Sequence, residues 1–162
     1  MENEMGYYVE SEESIFHIKA ANLDVAYKVM CRLNDNDAVK RGGGHYGADK
    51  VSPGDPRPEG MNHHPAKWFS WMDANYPETC LNFDSLMKEL GFETTYDEAT
   101  GDLIDIVYTN EKSGQQDLFL AALAPFVEVG SYIIWRDNEG DRWKNVFAGG
   151  VMTTKKGRVV YA

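Results

Sequence analysis

Gly130-Ser-Tyr-Ile-Ile-Trp-Arg-Asp-Asn-Glu-Gly-Asp-Arg-Trp-Lys-Asn-Val-Phe147 carries the clearest architectural signal of the chain. Two aromatic-rich runs flank a polar turn that closes near Gly140, the pattern of a β-hairpin. Successive side chains of a strand point to opposite faces, so Tyr132, Ile134 and Arg136 share one face and Ile133 and Trp135 the other. Trp143 and Phe147 share a face of the returning strand. Large groups on both faces predict a strand pair well inside a sheet.

Other strands are read outward from this hairpin. Tyr7-Tyr-Val-Glu10 and Ile15-Phe-His-Ile18, separated by Ser11-Glu-Glu-Ser14, predict a first hairpin. Residues 93–96 and 103–109 predict a second, turning through Asp97-Glu-Ala-Thr-Gly101, with Ile104, Ile106 and Tyr108 facing inward. Trp68-Phe-Ser-Trp-Met72 reads as a short aromatic strand, and Arg158-Val-Val-Tyr161 as a last one.

Helices fall between the hairpins. Leu23, Ala26, Met30 and Leu33 recur at helical spacing behind Asn22, a cap residue. Phe83, Leu86, Met87 and Leu90 follow i, i+3, i+4, i+7, with Asn82 placed to cap the start and Gly91 the end. Residues 115–124 give a third helix, buried along Phe119, Ala122 and Leu123 and stopped by Pro125. The expected fold is therefore α+β: one domain over residues 1–162, with a mainly antiparallel sheet built from hairpins and about three helices packed on one face. Residues 35–65 form a long Gly/Pro/His-rich loop without apolar periodicity, and loops of that length are generally functional or ordered by a partner.

Composition narrows the function. The chain has 162 residues, 43% hydrophobic and 12% aromatic, enough for one real core. No apolar run approaches the roughly 18 residues of a membrane span, and the acidic start Met1-Glu-Asn-Glu-Met5 is the reverse of a signal peptide, so a cytoplasmic protein without a membrane partner is expected. Cys31 and Cys80 lack C-x-x-C spacing and read as buried thiols. A formal net charge of -10 argues against gripping a phosphate backbone, so no direct nucleic-acid partner is expected. The acids group near residues 10–13, 97–105 and 137–141. If the two later turns lie at one edge of the sheet, they make a negative patch suited to a basic protein surface.

Four candidate chemistries can be weighed. Histidines 45, 63 and 64 with Asp73 could approach one another if the loop folds back, but no pair has helical ligand spacing and no H-E-x-x-H occurs, so no metal and no cofactor are assigned. Arg41-Gly-Gly-Gly-His-Tyr-Gly47 offers glycine amides for an anion nest, without the spacing or strand-to-helix context of a phosphate loop. No G-x-S-x-G occurs and neither cysteine lies beside a histidine, so no catalytic residue is assigned. The aromatics point instead to an interaction surface, with Trp71 and Trp135 expected in the core and Trp68, beside the long loop, at the surface.

Lys67-Trp-Phe-Ser-Trp-Met72, Leu86-Met-Lys-Glu-Leu-Gly-Phe-Glu93, Gly114-Gln-Gln-Asp-Leu-Phe-Leu-Ala-Ala-Leu-Ala-Pro-Phe-Val127 and the W-R-x-x-x-G-x-x-W run from Trp135 to Trp143 together resemble a family of small uncharacterised proteins from bacteriophages and actinobacteria. The resemblance spans residues 60–150 and carries no activity or catalytic residue. It implies a phage-type setting, hence the cytoplasm of a host cell. Joined to the acidic charge, it yields the expectation of a binder that inhibits a host protein by competing for its basic surface, as anti-CRISPR-like anti-defence factors do. Glu12, Glu13, His45, Tyr46, Trp68 and Asp97 are the expected contact residues. The alternative is a small enzyme or sequestering module acting on a nucleotide or other anionic metabolite at the loop of residues 40–73.

Overall fold

The computed structural model describes residues 8–45, 51–109 and 112–157. Tyr7, Tyr46 and residues 158–161 lie outside them. In chain order the elements are β1 (Val9–Ile15), α1 (Leu23–Arg32), β2 (Gly42–Gly43), β3 (Lys67–Trp68), α2 (Tyr76–Thr79), α3 (Phe83–Leu90), β4 (Phe92–Tyr96), β5 (Leu103–Tyr108), α4 (Gln116–Leu123), β6 (Tyr132–Asp137), β7 (Arg142–Ala148) and β8 (Val151–Lys156). The protein is α+β, with an antiparallel sheet ordered β1-β6-β7-β8 and two small pairs, β2-β3 and β4-β5.

The β6–β7 hairpin sits between neighbours on both sides, as its two-faced pattern predicts. Ile133, Trp135 and Phe147 are buried on the inner face, while Tyr132, Ile134 and Arg136 are partly exposed on the outer. Burial requires the Trp135 Nε1–H to find an acceptor. Asn145 Oδ1 accepts it at 2.7 Å, and Asn145 Nδ2 in turn donates to Thr154 Oγ1 on β8 at 3.0 Å.

The predicted first hairpin is instead one strand. Residues 11–14 lie inside β1, where Glu12 is an extra residue that shifts the register against β6. Such a bulge breaks the period-two pattern and makes the strand read as a turn. Beyond β1, the backbones of Ile18 and Leu103 exchange hydrogen bonds at 3.0 and 2.9 Å. Ser11 Oγ accepts the Tyr108 N–H at 2.9 Å, and Ser14 Oγ donates to Ile106 O at 3.0 Å. Serine hydroxyls thus close a seam between β1 and β5, so the strands run side by side as β4-β5-β1-β6-β7-β8.

The second hairpin forms as expected but carries its own bulge at Ile104. Leu103, Ile106 and Tyr108 face the core and Ile104 is turned outward, which corrects the inward set by one residue. The aromatic strand at residues 68–72 shrinks to Lys67–Trp68, followed by a turn. Strand β8 has no alternating pattern to announce it, since it is exposed along nearly its whole length, and it is returned from β7 by Gly149 and Gly150 at positive φ.

Helix α3 has the caps its sequence promises. Asn82 Oδ1 accepts the Ser85 N–H at 2.8 Å, Ser85 Oγ accepts the Asn82 N–H at 3.1 Å, and Gly91 ends the helix at φ 113°. Helix α1 starts from a 3-10 turn, Ala20–Asn22, with no side-chain cap from Asn22. Helices α1, α3 and α4 bring Ala26, Met30, Leu86, Met87, Phe119 and Leu123 into one apolar cluster with Ile133, Trp135 and Phe147 of the sheet. Among the described residues no helix is long and apolar enough to cross a membrane.

Candidate functional site

The Gly/Pro/His-rich segment is folded by a few long-range polar contacts. Asn36 caps the 3-10 turn Asp37–Val39, and the Lys40 ammonium that follows is fully buried against Asp37 Oδ1 at 2.7 Å. Arg57 reaches the same carboxylate at 3.0 Å and also donates to Asn34 O and Asn62 O. Burial alone would raise the Asp37 carboxyl, but the hydrogen bonds from Arg57 and Lys40 outweigh it and hold the group below its ordinary range. Gln115, from the turn before α4, accepts the N–H groups of Arg41 and Ser70 and donates to Val39 O at 2.7 Å.

The glycine run is a seat for an indole. A Cβ on Gly42 would stand 2.4 Å from Trp68 Cδ1, and one on Gly44 3.5 Å from Cη2. Only glycine lets the ring lie on this backbone. The Gly44 amide donates to Ala66 O at 3.0 Å, and Gly42 and Gly43 pair with Trp68 and Lys67. The run therefore builds a ladder rather than an anion nest.

Beside Trp68 opens a cleft of about 480 Å³ lined by His63, Pro65, Trp68, Met72, Asp73 and Asn75. His63 Nδ1 lies 2.8 Å from Asn62 Oδ1. Burial, with Lys40 and Arg57 nearby, lowers the His63 pKa, so the ring is neutral at pH 7. Asp73 Oδ1 accepts the Asn75 N–H at 2.7 Å, and the Asp73 N–H donates to Glu89 Oε2 at 2.8 Å. His64 belongs elsewhere. It is buried, with Nε2 on Asp55 O at 2.8 Å and Nδ1 accepting the Ala66 N–H at 3.1 Å, so both ring nitrogens are occupied.

Between Trp68 and Asp73 the chain makes a turn, closed by Met72 N–H on Phe69 O at 2.9 Å. Trp71 occupies its third position at φ 67°, where glycine is normally required. The residue is 54% exposed, which reverses the expectation of a core tryptophan. Trp135 is buried as expected, and Trp68 is half-buried. The indole of Trp71 lies against Gly114, where a Cβ would fall 2.7 Å from Nε1, and Lys112 Nζ sits 5.5 Å from the ring centroid. The backbone conformation costs about 1–2 kcal/mol for an L-residue. Nothing in the local sequence marks it, because the turn is imposed by Gln115 binding Ser70 and by the space left at Gly114.

The expected contact residues fall in several parts of the fold. Glu12 and Glu13 are on the open face of the sheet, where Glu12 pairs with Arg142 at 2.8 Å and Glu13 accepts from the Tyr132 hydroxyl. Asp97 is the β4–β5 turn residue, its Oδ1 accepting the Ala99 N–H at 2.7 Å. His45 is exposed, with Nδ1 3.1 Å from Ser52 Oγ, and belongs with Trp68 to the glycine-rich lobe. Tyr46 lies outside the described residues. The two acidic turns do not share an edge. Val9 at the start of β1 pairs with Asp137, whereas Ile18 beyond its end meets Leu103, so residues 97–102 and 137–141 stand at opposite ends of the sheet.

Two further clusters have structural explanations. Carboxylate oxygens of Asp137, Glu139 and Asp141 approach within 4.8 Å of one another, and Asp137 Oδ1 binds the amides of Glu139 and Asp141, which is turn chemistry. His17 Nε2 meets Asp102 Oδ2 at 2.9 Å, but Ser131 Oγ meets the backbone N–H of His17, at 3.1 Å. Burial raises the pKa of both Cys31 and Cys80 above the ordinary thiol value.

Comparison with protein-family models, with curated proteins and with solved structures finds no match to this chain.

Proposed function

We propose that this chain is a non-enzymatic binding protein that docks on a basic surface of another protein, with Trp71 as its anchor. The exposed, strained indole is the observation that carries the reading. Backbone strain persists where something other than stability maintains it, and a half-exposed tryptophan is a frequent energetic centre of protein interfaces. Asp73 follows it by two residues, Glu89 accepts the Asp73 N–H, and the whole molecule carries a formal charge of -10. Lys112 over the ring already shows the indole accepting a cation. The resemblance to small phage proteins supplies the setting: a host cytoplasm in which an acidic protein occupies a basic groove and blocks it, as an anti-defence inhibitor does.

The test is capture from a bacterial host lysate with the tagged full chain, at low and moderate salt, followed by mass spectrometry. A stoichiometric basic protein, retained at low salt, lost as salt rises and absent with Trp71→Gly, supports the reading. Retention indifferent to both salt and Trp71 removes it.

A further inference from the structure

The cleft next to Trp68 has a chemical bias that the docking surface alone does not explain. Its polar lining is the imidazole of His63, the carboxylate of Asp73 and the amide of Asn75. Asp73 gives one carboxylate oxygen to the Asn75 N–H, and the other has no partner among the described residues. Asn75 Oδ1 is buried and without a hydrogen-bond partner among the described residues. Asn62 Oδ1 can only accept, so the short contact to His63 places the ring proton on Nδ1 and leaves Nε2 as a lone pair. The remaining wall is apolar and partly flat, from Pro65, Trp68 and Met72. Lys40 and Arg57, the nearby cations, are both bonded to Asp37.

The Asp73 carboxylate repels an anion, and a neutral heterocycle brings no charge to meet it. A guanidinium has five N–H donors, no acceptor, a positive charge and a plane that stacks on an aromatic ring. We infer that the cleft receives a guanidinium, the side chain of an arginine presented by the basic partner. The source of the arginine rests on the protein-binding reading, whereas the chemistry of the cleft stands without it. Lysine fits less well, being a compact point charge that gains little from a flat wall.

The probe is N-acetyl-L-arginine amide, titrated into the full chain while the indole resonances are followed by NMR, with the citrulline and lysine analogues in parallel. Saturable binding is expected, with movement of the Trp68 resonance and at least about tenfold preference over citrulline, which has the same shape without the charge. Asp73→Asn keeps an oxygen for the Asn75 N–H but removes the charge, and should weaken arginine binding by about tenfold. No saturation with arginine, equal binding of citrulline, or unchanged affinity in Asp73→Asn overturns the inference. Lysate capture separates the two ideas. Capture without arginine binding leaves the docking reading and removes the guanidinium site. Arginine binding without capture leaves the site and removes the protein partner.

Discussion

At the scale of single residues, Trp71 and Asn145 show how differently two side chains can be maintained. Trp71 is held at positive φ with its ring outside the core. Trp71→Gly relieves the left-handed backbone but gives up the ring's packing on Gly114 and adds unfolded-state entropy, so the melting temperature is predicted to stay within a few degrees of wild type. Asn145 is the opposite case. It is fully buried and is the acceptor for Trp135 Nε1–H. Asn145→Ala strands that donor, and denaturant unfolding should report a loss of about 1–3 kcal/mol. Neither role is written in the local sequence. Asn145 sits among alternating strand residues with nothing to distinguish it, and Trp71 reads as one more aromatic in a strand, since the contacts that define each come from residues far along the chain.

Elements divide by where their information resides. The β6–β7 hairpin and α3 are legible because their signals, side-chain alternation and caps, are local. Strand β1 is not, because its bulge at Glu12 exists only in register with β6. Residues 36–45 and 51–68 read as parts of a loop, yet are folded by Asp37, Lys40, Arg57 and Gln115 rather than by periodic apolar residues. Gly42→Ala should drive a methyl into Trp68 and loosen this lobe, with faster amide exchange at Gly44 and Lys67 while α3 keeps its protection. Asp37→Asn leaves the buried Lys40 ammonium without its counter-charge and should cost about 3 kcal/mol in denaturant unfolding. The pH dependence has a definite sign. A carboxyl held below its ordinary value of 3.8 stabilises the fold above that pH, and the contribution is lost as pH falls through the lowered value. Wild type should therefore lose more stability than Asp37→Asn between about pH 5 and about pH 2, measured as the shift in urea midpoint.

For the whole molecule, the charge of -10 is legible from composition, but its distribution is not. Pairing of Glu10 and Glu12 with Arg136 and Arg142 ties the acids of the sheet's open face to cations, and the acidic turns are set at opposite ends. What composition cannot locate is the meeting of an unburied tryptophan, a seated one and a cleft edged by Asp73 within residues 63–75. The role of Trp71 is decided by the affinity of the captured host protein for wild type and for Trp71→Gly, both confirmed as folded by their melting curves. The variant is expected to melt within a few degrees of wild type and to bind at least about tenfold more weakly, the usual mark of an interfacial tryptophan. Equal affinity in a folded Trp71→Gly would remove Trp71 as the anchor.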